Sequence, residues 1–386
     1  MIVEPRIKGF ICTTAHPDGC RENVIRQIEF VKKNGIINGP KKVLIIGAST
    51  GYGLASRITA AFGCQADTIG IMYEREASGK RTASPGWYNT KAFEEEARKA
   101  GLYAYSINKD AFLRQTKEEA MDVIEKNLGK IDMIIYSLAA PRRTTEDGQV
   151  YESVLKPIGE KFSEKSWNLT TNVISEATIE PATQEEVDQT VKVMGGEDWQ
   201  DWIRMLAERN LLSNGAVTIA YSYIGPELTY PVYYNGTIGM AKKHLQKTAQ
   251  DLTTEFTSIG MKAYISVNKA LVTQASSAIP IVPLYFALLY QVMKEKGIHE
   301  GCIEQTDRMF REKLFSGRVI TDDENRIRLD DLEMRKDVQE ETMRRWKMIH
   351  CNNLSELADL KGYWDDFYHM FGFGFSNVDY TKEVEI

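Results

Sequence analysis

Short apolar runs alternate along this chain with segments whose apolar positions recur every three or four residues. Such runs stand at 43–47, 68–73, 102–107, 131–138, 216–224 and 261–267, the first of them too short for a helix and rich in β-branched side chains. Each predicts a strand, and those at 43–47 and 131–138 read as buried. Between them, 54–62, 90–100, 117–128 and 237–257 carry helical spacing, and 22–33 predicts a further amphipathic helix closed by Asn34-Gly35. Apolar strands that alternate with helices of about a dozen residues predict an α/β architecture, a doubly wound parallel sheet with right-handed crossovers.

The alternation breaks at 142–214, where Pro157, Pro181 and Gly195-Gly196 interrupt it and only 197–209 reads as a helix. A long excursion at the carboxyl edge of such a sheet is commonly a functional lid, and this one is read as a substrate cover. The apolar stretch 278–290 contains Pro280 and Pro283 and spans 13 residues. That is short of the roughly 20 that cross a bilayer, so it predicts a buried helix. Residues 301–386 interleave acidic and basic side chains and end in an aromatic run at 363–375, which predicts helices packed back on the core.

Composition narrows the class. With 386 residues, 43% of them hydrophobic, the chain can bury one large core or two. The net charge of −6 and the lack of a long basic block argue against nucleic acid or stable membrane insertion. Cys12, Cys20, Cys64, Cys302 and Cys351 form no C-x-x-C pair, and their odd count fits the reduced thiols of a cytoplasmic protein. The N-terminal MIVEPRIKGF has no apolar signal region. His16, His299 and His369 stand singly, so no metal is expected.

The first strand and helix enclose the densest chemistry, KVLIIGASTGYGLASR at 42–57. Gly47, Gly51 and Gly53 turn a strand into a helix N-terminus, which aims backbone N–H groups and a positive dipole end at one spot and suits a pyrophosphate. The spacing is G-x3-G-x-G, unlike the commoner G-x-G-x-x-G, and taken alone also fits a plain βα turn. The second strand leads to Glu74, 21 residues past Gly53, where a carboxylate can accept from the ribose 2′-OH of NADH and repel the 2′-phosphate of NADPH. Lys80 and Arg81 follow closely, and a solvated strand end is the other reading of Glu74. Asp110, after the third strand, reads either as a contact to adenine or as a turn residue. The small residues at 137–141 suit a ribose lying against backbone, or simply a tightly packed strand end.

Tyr233 and Lys242 are the candidate reactive pair. Nine residues of regular helix rotate by about 900°, which puts two side chains on opposite faces. Tyr233 is therefore expected in the turn after Pro231, with Asn235 as N-cap and Lys242 in the first turns of the helix. Ile238 and Gly239, four residues before Lys242 and Lys243, cannot act as acids, so the four-residue Tyr/Lys spacing of short-chain dehydrogenases is absent. A phenol donating to the carbonyl of an unsaturated thioester would stabilise the enolate formed when hydride reaches the β-carbon, and a nearby ammonium would hold ribose hydroxyls. Tyr223 could be a second donor. Tyr234 and Lys243 repeat the spacing one position later, and spacing alone does not choose between the registers.

With GASTGYGLA, SPGWYN, YSLAAPRRT, MGGEDWQ, YNGTIGMAKK, VTQASSAIP, HEGCIEQ and FGFG, and RIKGFICTTAHP near its start, the chain resembles the trans-2-enoyl-CoA reductase and FabV-type enoyl-[acyl-carrier-protein] reductase family over nearly its whole length. The resemblance implies a bacterial enzyme with an enlarged Rossmann-type short-chain dehydrogenase fold. It would reduce the C2=C3 bond of trans-2-enoyl thioesters with NADH, in fatty acid synthesis or butyrate-type fermentation. It also implies a Tyr-x8-Lys active site at Tyr233 and Lys242, with Tyr223 as a second tyrosine that meets substrate. NADH would be held by Gly47, Ser49, Thr50, Gly51, Tyr52, Gly53 and Glu74. Asp110 and Ala111 would contact adenine, Ser137, Leu138 and Ala139 the ribose side, and Lys242 with Leu271, Val272, Thr273 and Gln274 the nicotinamide half. The organisation expected is one enlarged Rossmann-like domain over 1–386, with a core at 41–140 and 215–300, the insertion at 141–214 and a helical extension at 301–386. Expected partners are an enoyl-CoA such as crotonyl-CoA or an acyl carrier protein, acting on a monomer. A carbonyl-reducing short-chain dehydrogenase and a non-catalytic nucleotide-binding protein are the alternatives; the missing four-residue spacing counts against the first, and the Tyr233/Lys242 pair against the second.

Overall fold

All six apolar runs become strands of a single parallel sheet, and a seventh joins them from the C-terminal part of the chain. The computed structural model describes residues 1–8, 11–273, 276, 279 and 281–386. The chain opens with a two-residue strand pair, β1 (Ile7–Lys8) and β2 (Ile11–Cys12), followed by α1 (Pro17–Lys33). The first half of the sheet is β3 (Lys42–Ile46), α2 (Gly51–Ile58), β4 (Asp67–Met72), α3 (Pro85–Lys99), β5 (Ala104–Asn108), α4 (Arg114–Asn127) and β6 (Ile131–Tyr136). The insertion then builds two hairpins, β7 (Arg142–Thr144) with β8 (Val150–Glu152) and β9 (Phe162–Asn168) with β10 (Val173–Ile179), before α5 (Gln184–Met194) and α6 (Glu197–Glu208). The sheet resumes with β11 (Leu212–Ser222), α7 (Thr237–Glu255) and β12 (Lys262–Val267). Beyond it come α8 (Val282–Glu295), α9 (Cys302–Arg308), β13 (Arg326–Arg328), α10 (Lys336–Met348), α11 (Leu354–Leu357) and α12 (Leu360–His369).

The strand order is β5-β4-β3-β6-β11-β12-β13, every neighbour parallel. Chain order reverses direction between β3 and β6, and a ligand cleft opens at the carboxyl ends of strands at such a switch point. Alternation along β3 explains its unbroken apolar run. Leu44 and Ile46 face a core shared with Trp199 and Trp202 of α6 and Leu245 and Leu252 of α7, while Val43 and Ile45 face a second core with Met309 and Phe310. A strand covered on both sides is apolar nearly throughout.

Of the apolar stretch predicted as a buried helix at 278–290, 278 and 280 lie outside the described residues, and 282–290 open α8, whose first turn takes Pro283. It is apolar nearly all round and buried from Val282 to Tyr290, as an internal helix must be. The predicted aromatic run is buried too: Tyr363, Phe367, Phe371 and Phe373 pack in the cluster that surrounds α8. That end of the chain docks on α1 through backbone. A Cβ at Gly19 would lie 1.6 Å from the Gly372 carbonyl oxygen, and the His16 N–H donates to the Phe371 carbonyl at 2.9 Å. Met1 and Val384 are also joined through backbone atoms.

Candidate active site

β3 and β6 end side by side, the Ser137 N–H donating to the Ile46 carbonyl at 2.8 Å. The chain leaves β3 through Gly47, whose φ of +86° and nearness to the Ser137 carbonyl, 2.4 Å from where a Cβ would stand, admit only glycine. A Cβ at Gly53 would sit 1.8 Å from the Gly47 carbonyl oxygen, so the first turn of α2 is drawn tight over the strand end. Thr50 precedes α2 without a side-chain cap bond, which leaves the N-terminal N–H groups of the helix to a ligand.

Glu74 is not a solvated strand end. Its carboxylate accepts the Ser49 hydroxyl at 2.6 Å and the Ser84 hydroxyl at 2.5 Å. Its backbone is locked to the Asn108 amide, which accepts the Glu74 N–H at 2.7 Å and donates to the Glu74 carbonyl at 2.8 Å. Gly86 makes room for it, since a Cβ there would lie 2.1 Å from Oε1. Residues 85–87 open α3 ahead of the helix expected at 90–100, with Ser84 at the N-cap, and this is why Ser84 and Gly86 meet the carboxylate.

A cavity of ≈ 990 Å³ runs along the switch point. Gly47, Ser49, Thr50, Gly51, Tyr52, Glu74, Asp110, Ala111, Ser137, Leu138, Ala139, Lys242, Leu271, Val272 and Thr273 border it. Gly53 packs under the loop, and Gln274 lies outside the described residues. Asp110 keeps a turn role as well, accepting the Phe112 N–H at 2.9 Å. The floor at Ala111 and Phe112 is backed by a buried pair that the sequence did not expose. Lys117 Nζ donates to the Phe112 carbonyl at 3.2 Å and to Asp198 at 2.6 Å, and the Tyr136 hydroxyl donates to the other Asp198 oxygen at 3.0 Å. Also unforeseen in the wall are Asn23 and Gln27 of α1, Met194 of α5, Tyr221, and Asp366 and His369 of α12. They arrive from distant parts of the chain, and no local motif announces them.

Tyr233 lies in the turn before α7, which the N-cap Gly236 closes; Asn235, expected there, instead donates its N–H to the Tyr230 carbonyl at 2.8 Å. Gly236 takes the cap because the Lys156 carbonyl passes within 2.8 Å of where a Cβ would stand. Lys242 is in the second turn, half-buried on the cavity wall, with its amine donating to the Tyr221 carbonyl at 2.8 Å. Burial pushes its pKa down to about 8. Lys243 instead sits outside, stacked 5.2 Å over the ring of the exposed Tyr234, which removes the second register from the cavity.

Tyr233 and Tyr223 do not border the cavity; both pack in the apolar cluster that holds Leu271 and Val272. Their rings meet edge-on, 4.8 Å apart at 80°. The Tyr233 hydroxyl donates no hydrogen bond among the described residues, and no hydrogen bond joins it to Lys242. Burial, then the nearby Glu333, push the Tyr233 pKa up. The Tyr223 hydroxyl is engaged, donating to Glu333 at 3.1 Å.

Among the described residues no cluster of His, Cys, Asp or Glu is arranged to hold a metal ion, and no helix is long and apolar enough to cross a membrane. The family comparisons divide the chain in three. Residues 2–79 match a model described as the NAD(P)H binding domain of trans-2-enoyl-CoA reductase, 81–315 the trans-2-enoyl-CoA reductase catalytic region, and 321–384 an enoyl reductase FAD binding domain. The last segment does not fit a flavin pyrophosphate. Its one strand, β13, is three residues long and runs into Asp330 and Glu333 with no glycine turn to a helix. Enoyl-[acyl-carrier-protein] reductases [NADH] of Flavobacterium johnsoniae and Cytophaga hutchinsonii are 57% and 55% identical, each over 100% of this chain and 98% of the relative. A Clostridium trans-2-enoyl-CoA reductase in complex with NADH superposes with a TM-score of 0.97 at 47% identity, over 100% of this chain and 98% of that one. The Treponema denticola trans-2-enoyl-CoA reductase in complex with NAD gives 0.96 at 47% identity with the same coverage.

Proposed function

From the premise that the chain belongs to the trans-2-enoyl-CoA reductase family, we propose that it reduces the C2=C3 bond of trans-2-enoyl thioesters with NADH through Tyr233, Tyr223 and Lys242. The observation that carries this is one cavity bordered both by an uncapped helix N-terminus with a serine-held Glu74 and by the half-buried amine of Lys242. Bound NADH supplies the hydride that reaches C3 of the substrate. Negative charge then develops on the thioester oxygen, and the Tyr233 hydroxyl, which donates to no described residue, is the donor for it. Its raised pKa keeps that phenol protonated at neutral pH, a donor and not a base. Lys242 is mostly charged at neutral pH, since its pKa lies near 8, and its ammonium holds the ribose hydroxyls on the nicotinamide side. Glu74 accepts the adenosine 2′-hydroxyl and opposes a phosphate there.

The insertion serves as substrate cover in this reading. Pro141, Arg142, Thr144 and Met194 border the cavity, and Val154 and Lys156 grip Thr237 at the start of α7. A monomeric, single-domain enzyme that draws on cytoplasmic NADH for fatty acid biosynthesis is the setting in this reading, and the five free thiols fit a reducing compartment. Purified protein mixed with NADH and crotonyl-CoA should lose NADH absorbance, and with acetoacetyl-CoA it should not. The reverse result would make it a carbonyl reductase, and no loss with either a binding protein. Matched rates on crotonyl-CoA and crotonyl-acyl carrier protein fix the carrier.

A further inference from the structure

Glu333 lies in the segment between β13 and α10 and is fully buried. Its carboxylate serves three donors. Oε1 accepts the hydroxyls of Tyr223 at 3.1 Å and Tyr285 at 2.7 Å, and Oε2 accepts the Ala270 N–H at 2.7 Å. Ala270 opens the stretch whose next three residues line the cavity, so one carboxylate ties the second tyrosine to the cavity wall. The oxygen of Tyr285 already accepts the Gln339 amide at 3.2 Å, which commits that phenol's hydrogen to Glu333.

The hydrogen of Tyr223 is not committed in the same way. While Glu333 is ionised, Tyr223 must aim its hydrogen at the carboxylate and away from any substrate beside Tyr233. When Glu333 carries a proton, its O–H can donate to the Tyr223 oxygen, and the phenol hydrogen is free to turn outward. The surroundings favour the neutral form. Burial is the largest influence and raises the pKa of Glu333, and Asp330 adds to it. Lys269 opposes them, its amine resting on the Ala270 carbonyl at 2.9 Å, and the Ala270 N–H and Tyr285 hydroxyl also stabilise the charge. Asp330 is itself paired with Arg328 at 2.6 Å. The facing phenols Tyr223, Tyr233 and Tyr285 are all held neutral by burial.

We propose that Glu333 is a positioning residue for the reduction: protonated, it donates to Tyr223 and releases that phenol's hydrogen to the thioester carbonyl beside Tyr233. No proton leaves the carboxyl group in this scheme; only the direction of the hydrogen bonds changes. The proposal rests on the reading that Tyr233 and Tyr223 meet the substrate carbonyl.

The test is kcat against pH, at saturating NADH and crotonyl-CoA, for wild type, E333Q, E333L, Y223F and E333Q/Y223F, with thermal unfolding to verify folding. In E333Q the amide oxygen can take the Ala270 N–H while the amide hydrogens donate permanently to Tyr223. Wild type should lose rate on the alkaline side along a limb that E333Q shifts upward by at least one pH unit. E333L should lower kcat on the order of tenfold at every pH, less than the loss of a general acid itself because Tyr223 keeps its hydroxyl, with KM for NADH within threefold. Y223F should lack the limb, and the double variant should match Y223F. A wild-type limb kept in E333Q or in Y223F, or effects that multiply in the double variant, would overturn the proposal. Should E333Q not fold, the Y223F profile decides alone. Y233F separates the two levels: if it still turns over, the underlying reading fails, whereas an inactive Y233F with an unmoved E333Q limb removes only Glu333.

Discussion

Cofactor choice can be worked from the clamp on Glu74. In E74A a charge-assisted hydrogen bond to the ribose 2′-hydroxyl is lost, about 1.5–3 kcal/mol, which lowers kcat/KM for NADH roughly ten- to hundredfold. NADPH gains instead. A carboxylate about 4 Å from a phosphate costs about 1 kcal/mol per charge in water and about 4 at a partly buried site. Glu74 is half-buried, and after screening its removal should return about 1–2 kcal/mol. The Ser49 and Ser84 hydroxyls, released from the carboxylate, become donors to the phosphate. The NADH-to-NADPH ratio of kcat/KM should therefore fall on the order of a hundred- to a thousandfold. G86A is the companion variant, because its Cβ would displace Oε1, 2.1 Å away, while leaving the charge in place. It should weaken NADH and leave NADPH excluded. Initial rates with each cofactor at fixed crotonyl-CoA measure both, and an E74A ratio within threefold of wild type would refute the assignment.

Y233F should lower kcat by on the order of 10²–10³ while KM for NADH changes less than threefold, because the hydroxyl acts mainly in the transition state; steady-state kinetics and NADH titration separate the two effects. Lys242 is charged below about pH 8 and neutral above it, so kcat/KM for NADH should decline as pH rises through that value in the free enzyme, and K242R should flatten the profile between pH 7 and about 9. D198A strands the buried ammonium of Lys117 and should cost about 3–5 kcal/mol in urea unfolding; a loss under about 1 kcal/mol would mean that solvent replaces the carboxylate.

Much of the sheet was legible because its central strands are covered on both faces and therefore nearly all apolar, and all six predicted runs join it, the half-exposed edge strand β5 included. β13 was not, since only Ile327 of Arg326-Ile327-Arg328 is buried and the flanking arginines pair with Asp322 and Asp330. The helix expected from 90 begins at Pro85, because proline at the first helical position with Ser84 before it is a helix start. α5 carried a readable signal in its insertion, the Thr183 and Glu186 capping box. The helix expected at 54–62 begins at Gly51 and passes at Thr59 into a wider turn through Gly63, because the glycines belong to its first turn and not to the loop. The glycine loop and Glu74 could be read because their demands are local in sequence. Glu333, Asp366 and the Lys117–Asp198 pair could not, because each acquires its meaning only from partners brought in by the fold.

The backbone contact between Gly19 and Gly372, with Met1 beside Val384, joins the start of α1 and the segment after α12 in a single clasp. Local opening there should therefore be one cooperative event. Asn23 and Gln27 on one side of the clasp and Asp366 and His369 on the other share the cavity, so a dinucleotide bound there should lower the population of the unclasped form by mass action and slow its proteolysis.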